Sequence, residues 1–117
     1  MISGISSALS GMLAFQKKVE STADNTANVD TDGFKKSRVT LTEAEPQGVT
    51  TNLQRIETPG PMALEPTSQG ETLVEKSNVD LAEELPNLML SKRFFEANLK
   101  VIQTEDEMLG SLLDTKG

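Results

Sequence analysis

Apolar residues recur at helical spacing near both ends of the chain, and the region between them lacks this period. The pattern predicts one helix from residue 2 to about residue 27 and a second helix that ends at about Leu113. Because a narrow apolar stripe suits a partner helix, we expect two amphipathic helices that form a coiled-coil-like pair. The predicted contact positions, called here the apolar seams, are Ile5, Leu9, Met12 and Val19 in the first helix and Leu81, Leu85, Leu88, Phe95, Leu99, Ile102, Leu109 and Leu113 in the second.

A polar turn is predicted where the first helix ends. Asn25, Asn28 and Gly33 interrupt the apolar period, and asparagine and glycine tolerate the left-handed backbone angles found in turns. Phe34 follows directly, and we expect it to anchor the chain by packing back onto the helices.

The second helix is expected to begin near Asn78 or Asp80, either of which is a suitable N-cap. Pro86 then interrupts the pattern, because proline lacks the N–H that would bond to the Ala82 carbonyl. We expect the helix to bend at this point. The alternative is a helix that starts immediately before Pro86, which would place the proline in its first turn.

The middle of the chain is polar and rich in turn-forming residues. Val39 and Leu41 alternate with polar residues and predict a strand at residues 37–42, and further short strands are expected between turns at residues 49–56 and 72–74. We therefore expect a mainly α fold whose helices are joined by an extended loop or a small β-hairpin. The predicted organisation is an N-terminal helix and turn at residues 1–33, an extended or β linker at residues 34–76, and a C-terminal helix at residues 77–117, with both helical parts in one discontinuous domain.

The composition argues against several kinds of function. A net charge of −7 lacks the basic footprint of a nucleic-acid-binding protein, so we expect no nucleic-acid partner. The chain has no cysteine and no histidine, which removes thiol chemistry and the commonest general base. Without a nucleophile beside a base or a glycine-rich phosphate loop, we expect no enzymatic activity, no cofactor and no small-molecule substrate.

One partial metal motif lies at the predicted turn. Asn28, Asp30, Asp32 and Gly33 match the first, third, fifth and sixth positions of a calcium-binding loop. The twelfth position, where such a loop has a bidentate glutamate, is Val39. We therefore expect no metal at this turn.

The chain has no apolar run long enough to cross a membrane. Its N-terminus also lacks the basic and unbroken apolar regions of a cleavable secretory signal. Export from the cytoplasm would therefore need another route.

The predicted turn resembles the N-terminal signature of the bacterial flagellar rod and hook axial proteins. The segment in this chain is Asp24-Asn25-Thr26-Ala27-Asn28-Val29-Asp30-Thr31-Asp32-Gly33-Phe34-Lys35. The segment Ser77-Asn78-Val79-Asp80-Leu81-Ala82-Glu83-Glu84 resembles the start of the family's C-terminal region. The residues that resemble its terminal helix are Arg93, Phe95-Glu96-Ala97-Asn98 and Lys100-Val101-Ile102-Gln103-Thr104.

This resemblance implies a structural subunit of the flagellar basal-body rod. Its terminal helices would form a coiled-coil inner layer that stacks helically into a tube and transmits torque. The implied partners are other copies of the chain, other axial proteins and the flagellar type III export apparatus. The implied location is the periplasm-spanning rod, reached without a cleaved signal. The short middle region makes the chain most similar to the small proximal rod proteins.

The residues alone leave two alternatives open. The two apolar seams would bury each other in a small helical hairpin, or the chain would be a soluble coiled-coil adaptor or export-linked regulator that binds one partner helix. A filament subunit differs from both because it associates into large species.

Overall fold

The computed structural model describes residues 2–116 and the side chains of residues 3–115. This part of the chain forms two helices and four strands. In chain order they are α1 (Ile2–Ala27), β1 (Ser37–Glu43), β2 (Val49–Arg55), β3 (Met62–Thr67), β4 (Gly70–Glu75) and α2 (Leu81–Lys116).

The two helices lie side by side and run antiparallel. The pairs in contact are Gly4 with Glu105, Gly11 with Asn98, Phe15 with Phe94, and Asn25 with Glu84. From one contact to the next, the residue number on α1 rises by the same amount as the residue number on α2 falls. The two helices therefore keep one antiparallel register over nearly the whole of α1. The aromatic rings stack with their centroids 5.1 Å apart.

The middle of the chain forms two separate two-stranded antiparallel sheets. β1 pairs with β2, with Ser37 opposite Arg55, and β3 pairs with β4, with Met62 opposite Glu75. The prediction of a mainly α fold joined by an extended loop or one small β-hairpin is therefore wrong. The strand that the pattern missed is β3, because Pro66 indicates a turn. The proline is tolerated because both strands of a two-stranded sheet are edge strands.

The two hairpins occupy different positions along α1. The β1–β2 hairpin packs on the side of the helix, where the Val49 N–H donates to Ser10 Oγ at 3.1 Å. The β3–β4 hairpin lies beyond the C-terminal end of α1, where the Gly33 N–H donates to the Glu75 carbonyl at 2.8 Å. The helix pair therefore carries one hairpin on its flank and one at its end.

The start of α2 is fixed by Asp80. Its carboxylate accepts a hydrogen bond from the Ala82 N–H at 3.0 Å, and its carbonyl accepts from the Glu84 N–H at 2.9 Å. This is the usual way in which an N-cap satisfies the first amides of a helix. Since α2 begins at Leu81, Pro86 lies inside the helix and not in its first turn.

The molecule is strongly elongated, with extents of 80 × 24 × 19 Å and a Cα radius of gyration of 20.8 Å. A compact chain of 117 residues would have a radius of gyration of about 13 Å. The accessible surface is 8092 Å², against about 6,200 Å² for a compact protein of this mass. Among the described side chains, the buried hydrophobic ones are Ala8, Ala14 and Val39. So small a core leaves sixteen large hydrophobic residues exposed among those described.

Candidate assembly surface

Asn25 joins three elements at the C-terminal end of α1. Its Oδ1 accepts a hydrogen bond from the Ser37 N–H at 2.9 Å, and its Nδ2 donates to the Ser37 carbonyl at 2.9 Å. Nδ2 also lies 3.3 Å from Glu84 Oε2 on α2. The Asn25 residue is only 2% exposed. The side-chain amide of Asn25 therefore hydrogen-bonds to β1 as the backbone of a neighbouring strand would. It connects β1 to both helices.

Asn78 makes a second junction of this kind just before α2. Its Oδ1 accepts from the Lys36 N–H at 2.7 Å, and its Nδ2 donates to the carbonyls of Ile56 and Thr58 at 2.9 Å each. The side chain that caps α2 is Asp80, so Asn78 has a different role. It holds the chain entering β1 against the chain leaving β2.

The remaining turn positions close the end of α1. Asn28 Nδ2 donates to the Asp24 carbonyl at 2.8 Å. Gly33 has a φ of 71°, a left-handed angle that favours glycine. Phe34 is half-buried, and its N–H donates to the Thr31 carbonyl at 3.2 Å. These contacts turn the chain from the helix toward the base of the β3–β4 hairpin.

The basic residues after this turn form ion pairs with the rest of the chain. Lys35 pairs with Glu75, and the hydrogen bond from Lys35 holds the pKa of Glu75 below its ordinary value. Lys36 and Arg38 both reach Glu83 on α2, at 3.1 and 3.6 Å. The side chains of Lys35 and Lys36 are only 13% and 14% exposed. The basic cluster is therefore a link between the hairpins and α2.

Lys76 makes a further link at the base of the β3–β4 hairpin. It pairs with Asp32 at 2.8 Å and also with Glu65. Hydrogen bonds to Asp32 and then Glu65 raise the pKa of Lys76 above its ordinary value. Asp32, one of the four matches to the calcium motif, is thus engaged by a cation of the same chain.

Glu84 is a buried carboxyl group between the helices. The residue is 5% exposed, and burial raises its pKa above the ordinary value, whereas the hydrogen bond from Asn25 lowers it. The neighbouring cations Lys36 and Arg38 bond to Glu83 instead. Burying a carboxylate with one long hydrogen bond opposes folding at neutral pH. This position therefore weakens the helix pair of the isolated chain.

The face through which the helices meet combines the stacked rings of Phe15 and Phe94 with small and polar residues. The small and polar contacts are Gly4 with Glu105, Gly11 with Asn98 and Asn25 with Glu84, and Ala8, Thr22 and Ser91 are also buried on these helices. A Cβ added at Gly4 would lie 2.2 Å from Glu105 Oε1, and one at Gly11 would lie 2.8 Å from Asn98 Oδ1. Glycine at these two positions lets polar side chains of α2 approach the backbone of α1 closely.

No position of the predicted apolar seams is fully buried within the chain. The half-buried members are Ile5, Met12, Val19, Leu88, Phe95, Ile102 and Leu109. The exposed members are Leu9, Leu81, Leu85, Leu99 and Leu113. Within the chain the helices thus touch through small and polar residues and through the stacked rings of Phe15 and Phe94, and no seam position is fully buried between them. The role of these positions in assembly stays a prediction.

Several exposed apolar side chains were not anticipated from the sequence. They are Met62, Leu64 and Leu73 on the β3–β4 hairpin and Leu13, Met89, Leu90, Phe94, Val101, Met108 and Leu112 on the helices. On the hairpin, the alternation of Met62 and Leu64 with other residues could have indicated a strand. The nearby prolines obscured this pattern. On the helices, these positions broaden the apolar stripe beyond the strict seam.

A cleft between β1 and the two helices has a volume of about 510 Å³. Asn25, Lys36, Arg38 and Glu84 line it, and their polar groups bond to one another or to Glu83. Over the described residues, no group of three or more acidic side chains is placed to hold a metal ion. Neither described helix is long and apolar enough to cross a membrane.

The fold and the unburied seams define the class of the molecule as an elongated, helix-paired structural protein. Residues 5–35 match the family model described as flagella basal body rod protein. Residues 71–115 match the model described as flagellar basal body rod FlgEFG protein C-terminal. The two matches together cover more than half of the chain. The chain belongs to the family of flagellar rod and hook axial proteins, which confirms the resemblance seen in the two signatures.

Short segments of the chain are similar to larger members of this family. The flagellar hook protein FlgE of Helicobacter pylori is 46% identical over 43 residues, which are 37% of this chain and 6% of that protein. The basal-body rod protein FlgG of Buchnera aphidicola is 50% identical over 42 residues, which are 36% of this chain and 16% of that protein. FlgG of Bacillus subtilis is 45% identical over 43 residues, again 37% of this chain and 16% of that protein. The matched segments thus span a small fraction of these relatives.

Proposed function

We propose that the chain is a structural subunit of the flagellar basal-body rod that assembles helically through its terminal helices and transmits torque. The observation that carries this proposal is the state of the apolar seams. None of their twelve positions is buried within the chain, although they follow the spacing of a helix-packing surface. A neighbouring subunit would remove this surface from water, and burial of apolar area is the main driving force of association.

The pairing of α1 with α2 gives the proposed subunit one assembly domain. Residues 1–33 and 77–117 would act together as this domain, with residues 34–76 as a separate β region. The Asn25 and Asn78 junctions and the Glu83 ion pairs connect the β region to the helices. Such cross-links favour a subunit that turns as one body, which torque transmission requires.

The proposed partners are other copies of the chain, other flagellar axial proteins and the flagellar type III export apparatus. Contacts between two different surfaces do not close into a dimer, and they generate a helical filament when the rotation does not close. The short β region favours a position similar to that of the small proximal rod proteins.

The proposal is tested by charged substitutions in the seam of α2. Leu99→Asp and Ile102→Asp place a carboxylate on the surface that a neighbouring subunit would cover, so we expect loss of rod incorporation and of motility. Leu99 is exposed and Ile102 half-buried in the single chain, so the helix should still form. The readouts are swimming in soft agar and the presence of the variant in purified basal bodies.

Gln103→Asp is the matched control, since Gln103 is exposed and lies next to Ile102 but outside the seam. It should retain motility. Normal incorporation of both seam variants would overturn the proposal, and a defined one-to-one complex with another protein would favour an adaptor instead.

A further inference from the structure

Two exposed apolar patches lie at opposite ends of the molecule. The first is the end of α2. In the register set by Gly4 and Glu105, residues 108–116 extend past the level of Ile2, the first described residue of α1. This segment, called here the C-terminal overhang, is about 13 Å long. It exposes Met108, Leu112 and Leu113, which are 51%, 54% and 69% exposed.

The second patch is one face of the β3–β4 hairpin. Leu64 pairs directly with Leu73, and Met62 lies two residues from Leu64, so the three side chains share a face. All three are more than half exposed. The opposite face carries Ala63, which is half-buried. The three exposed side chains are called here the hairpin face. A two-stranded hairpin is only marginally stable in water unless another surface covers it.

The two patches cannot meet within one chain. The overhang extends past the N-terminal end of α1, and the hairpin is attached beyond its C-terminal end through the Gly33–Glu75 hydrogen bond. Between them lies α1, whose 26 residues span about 39 Å. Any contact between the patches therefore joins two molecules.

The dimensions and areas fit a contact between two copies. A six-residue strand is about 20 Å long, so it accommodates a helical segment of about 13 Å. The surface of 8092 Å² exceeds that of a compact protein of equal mass by about 1,900 Å². A specific protein–protein interface buries a total of about 1,200–2,000 Å². The excess surface is thus large enough to include a contact between two copies.

We infer that the C-terminal overhang of one copy docks on the hairpin face of a second copy. In a head-to-tail arrangement each copy keeps one free patch after binding, so the contact propagates from copy to copy. This inference rests on the proposed function, to which it adds an axial contact distinct from the apolar seams.

Cysteine cross-linking tests the contact in the full-length chain, which has no cysteine of its own. Leu73→Cys and Leu113→Cys variants are mixed in equal amounts and oxidised, and cross-linked peptides are identified by mass spectrometry. We expect disulfides between position 73 of one copy and position 113 of another. Absence of this product, or a dominant 113–113 product from two overhangs, would overturn the inference.

Association of substituted chains gives a second readout. Leu64→Asp and Leu112→Asp should each raise the concentration at which half of the chain is associated by about tenfold or more in sedimentation velocity. Leu53→Asp is the matched control, because Leu53 is 67% exposed, as Leu64 is 64% exposed, but lies on the β1–β2 hairpin. Circular dichroism verifies that all three variants keep their helices.

The outcomes separate this contact from the proposed function. Large wild-type species with unchanged association of Leu64→Asp and no 73–113 disulfide would contradict the axial contact and leave the rod proposal standing. A 73–113 disulfide in short oligomers that never grow would support the contact between the two patches but contradict both its head-to-tail propagation and assembly into a filament.

Discussion

Two asparagine side chains connect elements that are far apart in the sequence. Asn25 bonds to the backbone of Ser37 and to Glu84, and Asn78 bonds to the backbone on either side of the β1–β2 hairpin. The sequence indicated both positions, one as a turn residue and one as a cap. Their partners were not predictable, because a hydrogen bond across 59 residues depends on the final topology.

Replacing Asn25 should destabilise the fold measurably. Asn25→Ala removes both bonds to Ser37 and leaves those backbone groups without partners, so we expect the free energy of unfolding to fall by about 1–3 kcal/mol. Urea denaturation followed by circular dichroism measures this. The matched control is Asn87→Ala on the exposed surface of α2, which should change stability by less than about 0.5 kcal/mol. Equal effects of the two substitutions would contradict the assigned role.

Glu84 gives a prediction with a defined pH dependence. Folding raises the pKa of this carboxyl above its ordinary value of 4.5, chiefly through burial. The folded state therefore binds the proton more tightly than the unfolded state, and the group's stabilising contribution is lost as the pH rises through the folded pKa. Because glutamine stays neutral, Glu84→Gln should be more stable than the wild type at pH 7 and similar to it below pH 4.5.

The neighbouring residue provides the control for this experiment. Glu83 is ion-paired with Lys36 and Arg38, so Glu83→Gln should not stabilise the chain at pH 7. Thermal unfolding at a series of pH values distinguishes the two substitutions. A Glu84→Gln variant that is less stable than the wild type at pH 7 would show that the buried carboxylate stabilises the helix pair.

At the scale of elements, the helices were predictable and one strand was not. The apolar period located α1, and the capping residue located the start of α2 within a few positions. Strands β1, β2 and β4 overlap the three segments predicted as strands, of which residues 37–42 showed an alternating pattern. β3 was not predicted because Pro66 is a poor strand residue. The pairing of β3 with β4 also depends on contacts that the local sequence does not encode.

The connection between the hairpins depends on a glycine without a side chain. A Cβ at Gly60 would lie 2.0 Å from the backbone carbonyl oxygen of Lys76, which cannot move away easily. Gly60→Ala should therefore destabilise the chain and loosen the β3–β4 hairpin, as measured by urea denaturation and hydrogen exchange of that hairpin. Gly110→Ala is the control, because nothing lies within 4 Å and alanine favours the helix by roughly 0.5–1 kcal/mol. Destabilisation by both would contradict a local clash at Gly60.

At the scale of the whole molecule, the unusual feature is the amount of apolar surface left uncovered. The sequence predicted that the seams need partners, and five of their twelve positions are exposed within the chain. It did not show that the helices meet through Gly4, Gly11 and the stacked Phe15 and Phe94, since that depends on how one helix is rotated against the other. The hairpin face was also not predicted, because β3 was not recognised as a strand.

The most direct test of assembly is circular dichroism combined with sedimentation velocity on the purified full-length chain over a concentration series. We predict that large species form as concentration rises and that helicity increases with them, because burial of the seams stabilises a helix pair weakened by Glu84. A fully helical monomer or dimer whose size and helicity do not depend on concentration would contradict assembly through the terminal helices.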